Sequence, residues 1–133
     1  ALFKELSPVE YLKVTKIAKW KKFKSGSQII KEGADVKRLI LIYNGTIDVA
    51  VKGEKVAELR DGQFVGEMSF LTERPATATC IAKHDCECLV WSQPEFKSLL
   101  KRNPSLYFSI QSLLSAQVSD ALINTSKKSN STS

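Results

Sequence analysis

Short β-rich runs separated by turn residues fill the centre of the chain, and this pattern constrains the fold more than any other feature. The runs cover 29–30, 39–43, 46–51, 55–59, 77–82 and 86–91. Asn44–Gly45, Gly53 and Asp61–Gly62 mark turns between them. Asn44–Gly45 predicts a hairpin, because this dipeptide readily adopts the positive φ angles of a tight turn. The pattern predicts a mainly β fold.

Helical segments flank the strands on both sides. Ser7 followed by Pro8 predicts a helix start, since serine caps free amides and proline is tolerated in the first turn. Ser92 predicts the start of a second helix, which Asn103–Pro104 separates from a longer amphipathic one. The apolar face expected for the N-terminal helix consists of Leu12, Ile17 and Trp20.

Length and composition fit a single domain. The chain has 133 residues, of which 43% are hydrophobic, enough to form a core. We expect one domain over residues 1–124 and a disordered polar tail at 125–133, which is rich in serine, lysine and asparagine. No apolar run approaches the ~18 residues of a membrane helix. Because the chain begins at Ala1, we expect it to be part of a longer protein that could include a membrane segment or a second domain.

The positive charge is concentrated near the N-terminus. Of the net charge of +6, residues 1–24 contribute +5, with seven lysines and two glutamates. A nucleic-acid-binding surface over the whole domain is therefore not expected. The lysines of 16–24 alternate with Trp20 and Phe23, as in membrane or nucleic-acid binders. The alternative is a solvated helix end with both aromatic rings in the core.

The cysteine and histidine content argues against several chemistries. Cys80, Cys86 and Cys88 are an odd number without a disulfide pattern, which favours a reducing compartment, and we expect a cytoplasmic location. Their spacing lacks a CxxC pair, so no metal site is expected. His84 is the only histidine, which makes a catalytic triad or dyad improbable. The protein is predicted not to be an enzyme.

The stretch from Gly62 to Thr79 contains the candidate site. Gly66 permits a positive φ or a close backbone approach, and a single helical turn is expected after it. The first amides of such a turn suit an anionic oxygen such as a phosphate. Glu67, inside that turn, is an acceptor suited to a hydroxyl but would repel a phosphate alone. Together these features predict a sugar-phosphate pocket.

This stretch resembles the phosphate-binding cassette of cyclic nucleotide-binding domains, in the order Gly62-x-x-x-Gly66-Glu67-Met68-Ser69-Phe70-Leu71 and then Pro75-x-Thr77-Ala78-Thr79. Further matches at 24–33 and 42–47 extend the resemblance over residues 6–122. It implies an eight-stranded antiparallel, jelly-roll-like β-roll with an N-terminal helix and C-terminal lid helices. It also implies that the ligand is a cyclic nucleotide, cyclic AMP (cAMP) or cyclic GMP (cGMP), and that no cofactor is needed.

The resemblance assigns roles to individual residues. It implies that Glu67 binds the ribose 2′-hydroxyl and that Thr77 contacts the phosphate or, in some members, a guanine. The C-terminal helix, over 104–123, is expected to move over the base as a lid, and it is also a candidate homodimer contact. The predicted ligand-binding residues are Gly66, Glu67, Met68, Ser69, Arg74, Ala76, Thr77 and Ala78.

One position departs from the family pattern. The family places an arginine nine residues after the glutamate, and this chain has Ala76 there. A charge-assisted hydrogen bond to the phosphate contributes roughly 1.5–3 kcal/mol, so its loss weakens binding by about one to two decades. Arg74 would point to the same side in an extended chain and could replace the arginine, but Pro75 could aim it elsewhere.

A second resemblance concerns the C-terminal part. Cys88-x-x-Trp91, Leu99–Leu100 and the helix ending at 118–122 are similar to the Popeye-domain branch. That branch also lacks the arginine and carries membrane helices upstream, but it does not keep the Gly–Glu pair. In such a setting the lysines of 13–24 would face an anionic leaflet.

These observations predict a regulatory sensor domain for signal transduction, which binds cAMP or cGMP and transmits the signal through its C-terminal helix. Two alternatives remain open. The first is a degenerate β-roll, possibly membrane-anchored, that acts as an oligomerisation or docking module without ligand. The second is a fragment of a DNA-binding regulator.

Overall fold

The β-roll is confirmed. The computed structural model describes residues 6–131, with side chains described for 6–117. In chain order the described elements are α1 (Pro8–Lys16), β1 (Lys19–Phe23), β2 (Gln28–Ile30), β3 (Arg38–Asn44), β4 (Ile47–Val51), β5 (Glu54–Leu59), β6 (Phe64–Val65), α2 (Glu67–Thr72), β7 (Thr79–Ala82), β8 (Cys86–Ser92), α3 (Gln93–Lys101) and α4 (Pro104–Ser131). The strands form two four-stranded antiparallel sheets, in the orders β1-β8-β3-β6 and β2-β7-β4-β5.

Two cores hold the sheets and helices together. The first lies between the sheets and contains Phe23, Ile29, Ile30, Ile40, Ile42, Ile47, Leu59, Val65, Ala76, Cys80, Ala82, Cys86, Cys88 and Val90. The second lies between the first sheet and the helices and contains Val14, Leu39, Leu41, Phe64, Phe70, Leu89, Trp91, Phe96, Leu99, Leu100, Leu106, Ile110 and Leu114. Alternate residues of β3 and β8 point into different cores, because successive side chains of a strand face opposite sides.

Both predicted helix starts are confirmed. The Ser7 hydroxyl accepts a hydrogen bond from the Glu10 amide (3.2 Å), and the Glu10 carboxylate accepts one from the Ser7 amide (3.0 Å). This reciprocal pair satisfies two helix-terminal donors. Ser92 accepts from the Glu95 amide (3.4 Å) at the start of α3. Caps depend on neighbours in sequence, which is why local patterns find them.

The predicted apolar face of the first helix is wrong for Leu12 and Trp20, whereas Ile17 packs against the core between the first sheet and the helices. The helix ends at Lys16, and the following lysine-rich segment pairs with β8 as β1. Trp20 is therefore a strand residue and is 61% exposed, whereas Phe23 is buried. Leu12 is also exposed, and Val14 is the helix residue buried in the core. Pairing with a distant strand overrides the helical pattern in this segment.

The hairpin predicted at Asn44–Gly45 is wrong, because β3 and β4 belong to different sheets. Gly45 lies where the chain crosses between them, with a φ of 133°. A Cβ atom there would lie 2.6 Å from the Cys86 Sγ, so only glycine fits. The hairpin joins β4 to β5 instead and turns at Lys52–Gly53, where both residues have positive φ.

The last helix is longer than the sequence predicts. α4 continues to Ser131, so the structure differs from the disordered tail expected at 125–133, whose last two residues lie outside the described part. No glycine or proline after Pro104 interrupts the helical hydrogen bonds. Among the described helices, none combines the length and apolar character needed to cross a bilayer.

Candidate functional site

The candidate site begins where β6 turns into α2. Gly66 occupies the N-cap of α2 with a φ of 89°, in the left-handed region that favours glycine. A Cβ atom at this position would lie 3.0 Å from the Arg38 carbonyl oxygen and 3.3 Å from a methyl carbon of Val36. The expectation that Gly66 combines a positive φ with a close approach is confirmed.

The first turn of α2 presents backbone amides. The Phe70 amide donates to the Gly66 carbonyl (3.1 Å), which is the first hydrogen bond inside the helix. The amides of Met68 and Ser69 precede it, and within residues 6–117 no side chain or loop carbonyl accepts from them. Ser69 is buried and Met68 is half-buried. Both amides can therefore donate to an oxygen placed at the helix start.

Glu67 is a half-buried carboxyl at the start of the same turn. Burial raises its pKa, while its own backbone amide and the side-chain amide of Gln117 partly offset that effect. The thiol of Cys80 has its pKa raised to about 12, mainly by burial and also by the negative charge of Glu67. Because Cys80 lies in the core between the sheets, the Glu67 carboxyl is close enough to that core to influence its titration.

Gln117 on α4 is a site residue that the sequence did not reveal. Its Nε2 donates to the Phe64 carbonyl (2.7 Å), and its Oε1 accepts from the Phe64 amide (2.7 Å). The side-chain amide of Gln117 also lies near the Glu67 carboxyl and lowers its pKa. A signal was present, because Gln117 falls at helical spacing from the buried Ile110 and Leu114, where an apolar residue is expected.

The arginine position of the family is filled by a buried alanine. Ala76 is 9% exposed, and its backbone pairs with the loop before β3: its amide donates to the Ala34 carbonyl (2.9 Å), and its carbonyl accepts from the Gly33 amide (2.8 Å). Arg74 is exposed and forms no ion pair among the described side chains. Ala76 is thus buried and held by backbone hydrogen bonds, whereas the Arg74 side chain lies at the surface.

The remaining predicted residues follow the same loop. Thr77 is exposed and Ala78 is half-buried, and both precede β7, which begins at Thr79. The Thr79 hydroxyl accepts from the Glu32 amide (3.0 Å), so it is already engaged in holding the loop. Gly66, Glu67, Met68 and Ser69 come together in one turn. The ligand-binding roles of these four residues and of Arg74, Ala76, Thr77 and Ala78 stay predictions.

Comparison with known proteins gives one family. The model of the cyclic nucleotide-binding domain matches residues 20–103. The potassium/sodium hyperpolarization-activated cyclic nucleotide-gated channel 2 of Mus musculus is 33% identical over 88 residues, which cover 66% of this chain and 10% of the channel. The chain thus spans about a tenth of the length of that relative.

Solved structures share the fold. A cyclic nucleotide-binding domain from Methylobacillus flagellatus has a TM-score of 0.89 and 22% identity, covering 100% of this chain and 78% of its own. A structure of cAMP-bound PfPKA-R has a TM-score of 0.79 and 24% identity, covering 96% of this chain and 43% of its own. At this identity the two structures establish the β-roll architecture.

Proposed function

Because the chain belongs to the cyclic nucleotide-binding domain family, we propose that it is a regulatory sensor domain that binds cAMP or cGMP. Glu67 accepts a ribose hydroxyl, and the amides of Met68 and Ser69 donate to the cyclic phosphate. α4 carries the signal to the rest of the protein. Because the structure of PfPKA-R has cAMP bound, cAMP is the first ligand to test.

The position of Glu67 carries this proposal. A partly buried carboxyl with a raised pKa is costly to keep ionised, and here it lies in the same turn as two amides that have no acceptor within residues 6–117. A ribose cyclic phosphate has a hydroxyl that can donate to the carboxyl and anionic oxygens that can accept from the two amides. One ligand can therefore satisfy both sets of groups.

Ala76 sets the expected affinity. No guanidinium is supplied at this position, and the exposed Arg74 lies in different surroundings. We therefore expect binding that is about one to two decades weaker than with an arginine at the phosphate.

The setting of the domain is inferred from less direct observations. The three cysteines are free and buried, which fits a reducing cytoplasm. Six lysines of 13–24 could lie near an anionic membrane if the full protein has a membrane segment upstream. α4 provides a long helix that could also join two copies of the chain.

Isothermal titration calorimetry with cAMP and cGMP tests the proposal. Saturable heat is expected from at least one nucleotide, and Glu67→Ala should weaken that binding about tenfold or more, because a charged hydrogen bond is lost. Glu58→Ala, on β5 of the β2-β7-β4-β5 sheet, is the matched control and should leave binding unchanged. If the wild type gives no heat at high micromolar nucleotide, the proposal is wrong and a ligand-free docking module becomes the better account.

A further inference from the structure

The contact between Gln117 and β6 is unusual because it completes a sheet edge with a side chain. β6 is the last strand of its sheet and pairs with β3 on one side only, with Phe64 opposite Leu41. On that paired side, the Ile42 amide donates to the Gln63 carbonyl (3.0 Å). The amide and carbonyl of Phe64 both bond to Gln117, at 2.7 Å each. The glutamine thus takes the place of a neighbouring strand.

The Gln117 side chain also lies near Glu67, the carboxyl proposed to bind the ribose hydroxyl. A primary amide has two N–H donors, and one of those on Gln117 is used by the Phe64 carbonyl. The amide also stabilises the charged form of Glu67 as a hydrogen-bond donor. Gln117 on α4 thus bonds to Phe64 and lies close enough to Glu67 to lower its pKa. A ribose hydroxyl bound at Glu67 would have to take over that role.

We propose that Gln117 is a positioning residue that latches α4 to Phe64 and Glu67 in the ligand-free domain, and that a ribose hydroxyl displaces it. This inference rests on the proposed function. It identifies one contact through which ligand binding changes the position of the helix. Because linkage is reciprocal, a latch that ligand binding breaks must also weaken ligand binding by the same factor.

The latch can be measured without any ligand. Gln117→Met keeps the length and shape of the side chain but removes both hydrogen bonds to Phe64. Hydrogen exchange of the Phe64 amide should become about tenfold faster, because the hydrogen bond that protects this amide is lost. Gln111→Met is the matched control, since Gln111 bonds to Tyr107 on its own helix (3.0 Å) and should leave Phe64 unchanged. Gln117→Ala repeats the test with a smaller side chain.

Adding cAMP separates the latch from the proposed function. In the wild type, saturating cAMP should increase exchange at Phe64, and Gln117→Met should bind cAMP about three- to tenfold more tightly. If cAMP binds but neither effect appears, the latch proposal is wrong and the sensor function stands. If neither cAMP nor cGMP binds, the sensor function fails and the displacement with it. Wild-type exchange at Phe64 in Gln117→Met would disprove the latch regardless of nucleotide.

Discussion

Two regions of the molecule each contain a glycine with positive φ and a glutamate with a shifted pKa, and they differ in what surrounds that glutamate. They are the cassette turn, Gly66–Glu67, and the charged hairpin, β4 and β5 with its turn at Lys52–Gly53. Burial raises the pKa of Glu67. In the charged hairpin, hydrogen bonds to lysine lower the pKa of Glu58 to about 2.

The contacts of Glu58 explain the opposite direction. Its carboxylate pairs with Lys55 of the same strand, with Lys83 (2.8 Å) and with Arg60 (3.0 Å). Lys55 also lies 3.2 Å from Asp48. Three cations thus surround Glu58 on the outer face of the sheet. The groups that lower the pKa of Glu67 are only its own backbone amide and the side-chain amide of Gln117. The protein itself thus satisfies Glu58, whereas Glu67 keeps hydrogen-bonding capacity for a ligand.

The largest expected effect on cAMP affinity comes from adding a cation to the cassette, which has none at position 76, whereas three cations surround Glu58 in the charged hairpin. Ala76→Arg places a guanidinium at the family position and should raise cAMP affinity about 10- to 100-fold, by adding a charge-assisted hydrogen bond to the phosphate. Calorimetric titration measures this. Arg74→Ala is the control, and it should change affinity little because Arg74 is exposed. A loss of affinity in Arg74→Ala as large as the gain in Ala76→Arg would show that Arg74 already serves the phosphate.

The two glycines provide the next comparison. Gly53→Ala should cost about 1 kcal/mol of unfolding free energy, because φ is 82° and nothing lies within 4 Å of the new Cβ. Gly66→Ala should cost about 2–3 kcal/mol, since its Cβ would also meet the Arg38 carbonyl at 3.0 Å. Urea unfolding monitored by circular dichroism gives both values. Equal costs would mean that the close approach at Gly66 relaxes freely.

The smallest effects should have opposite signs in the two glutamates. A raised pKa gives stability that is complete below the ordinary value of 4.5 and is lost as pH rises through the folded pKa. Glu67→Gln should therefore stabilise the fold at neutral pH, with the gain vanishing below that value. Thermal unfolding across pH measures the gain, and a destabilised variant at neutral pH would contradict it.

For Glu58 the lowered pKa gives stability that is present above 4.5 and is lost as pH falls toward about 2. Glu58→Gln should slightly destabilise the fold at neutral pH, with no difference in strong acid. High salt should shrink the effect, because exposed pairs are screened. A stabilising Glu58→Gln would remove the contrast with Glu67.

The sequence predicted features that depend on neighbouring residues. The caps at Ser7 and Ser92 and the turn at Gly66 follow from local backbone chemistry. The eight-stranded architecture came from the family resemblance. Periodicity missed β1, because the alternation of lysine and aromatic residues does not separate a helix end from an edge strand.

Predictions of features that depend on residues distant in sequence were wrong, or the features were not predicted at all. The dipeptide Asn44–Gly45 marks a turn but does not reveal that its flanking strands join different sheets. Gln117 lies 53 residues from Phe64, so the contact that ties α4 to the cassette has no local signature beyond a polar residue on an apolar helix face. The burial of Ala76 likewise depends on the distant loop at Gly33 and Ala34, to which its backbone is hydrogen-bonded.

Carbon-13 NMR titration of the Glu67 carboxyl shows whether this group is held in a buried site that binds a nucleotide. We expect the carboxyl to titrate above the ordinary value of 4.5 in the ligand-free domain. We also expect its signal to shift when cAMP or cGMP is added, because a ribose hydroxyl then bonds to it. A Glu67 carboxyl that titrates at its ordinary value and does not respond to either nucleotide would contradict the proposed sensor site.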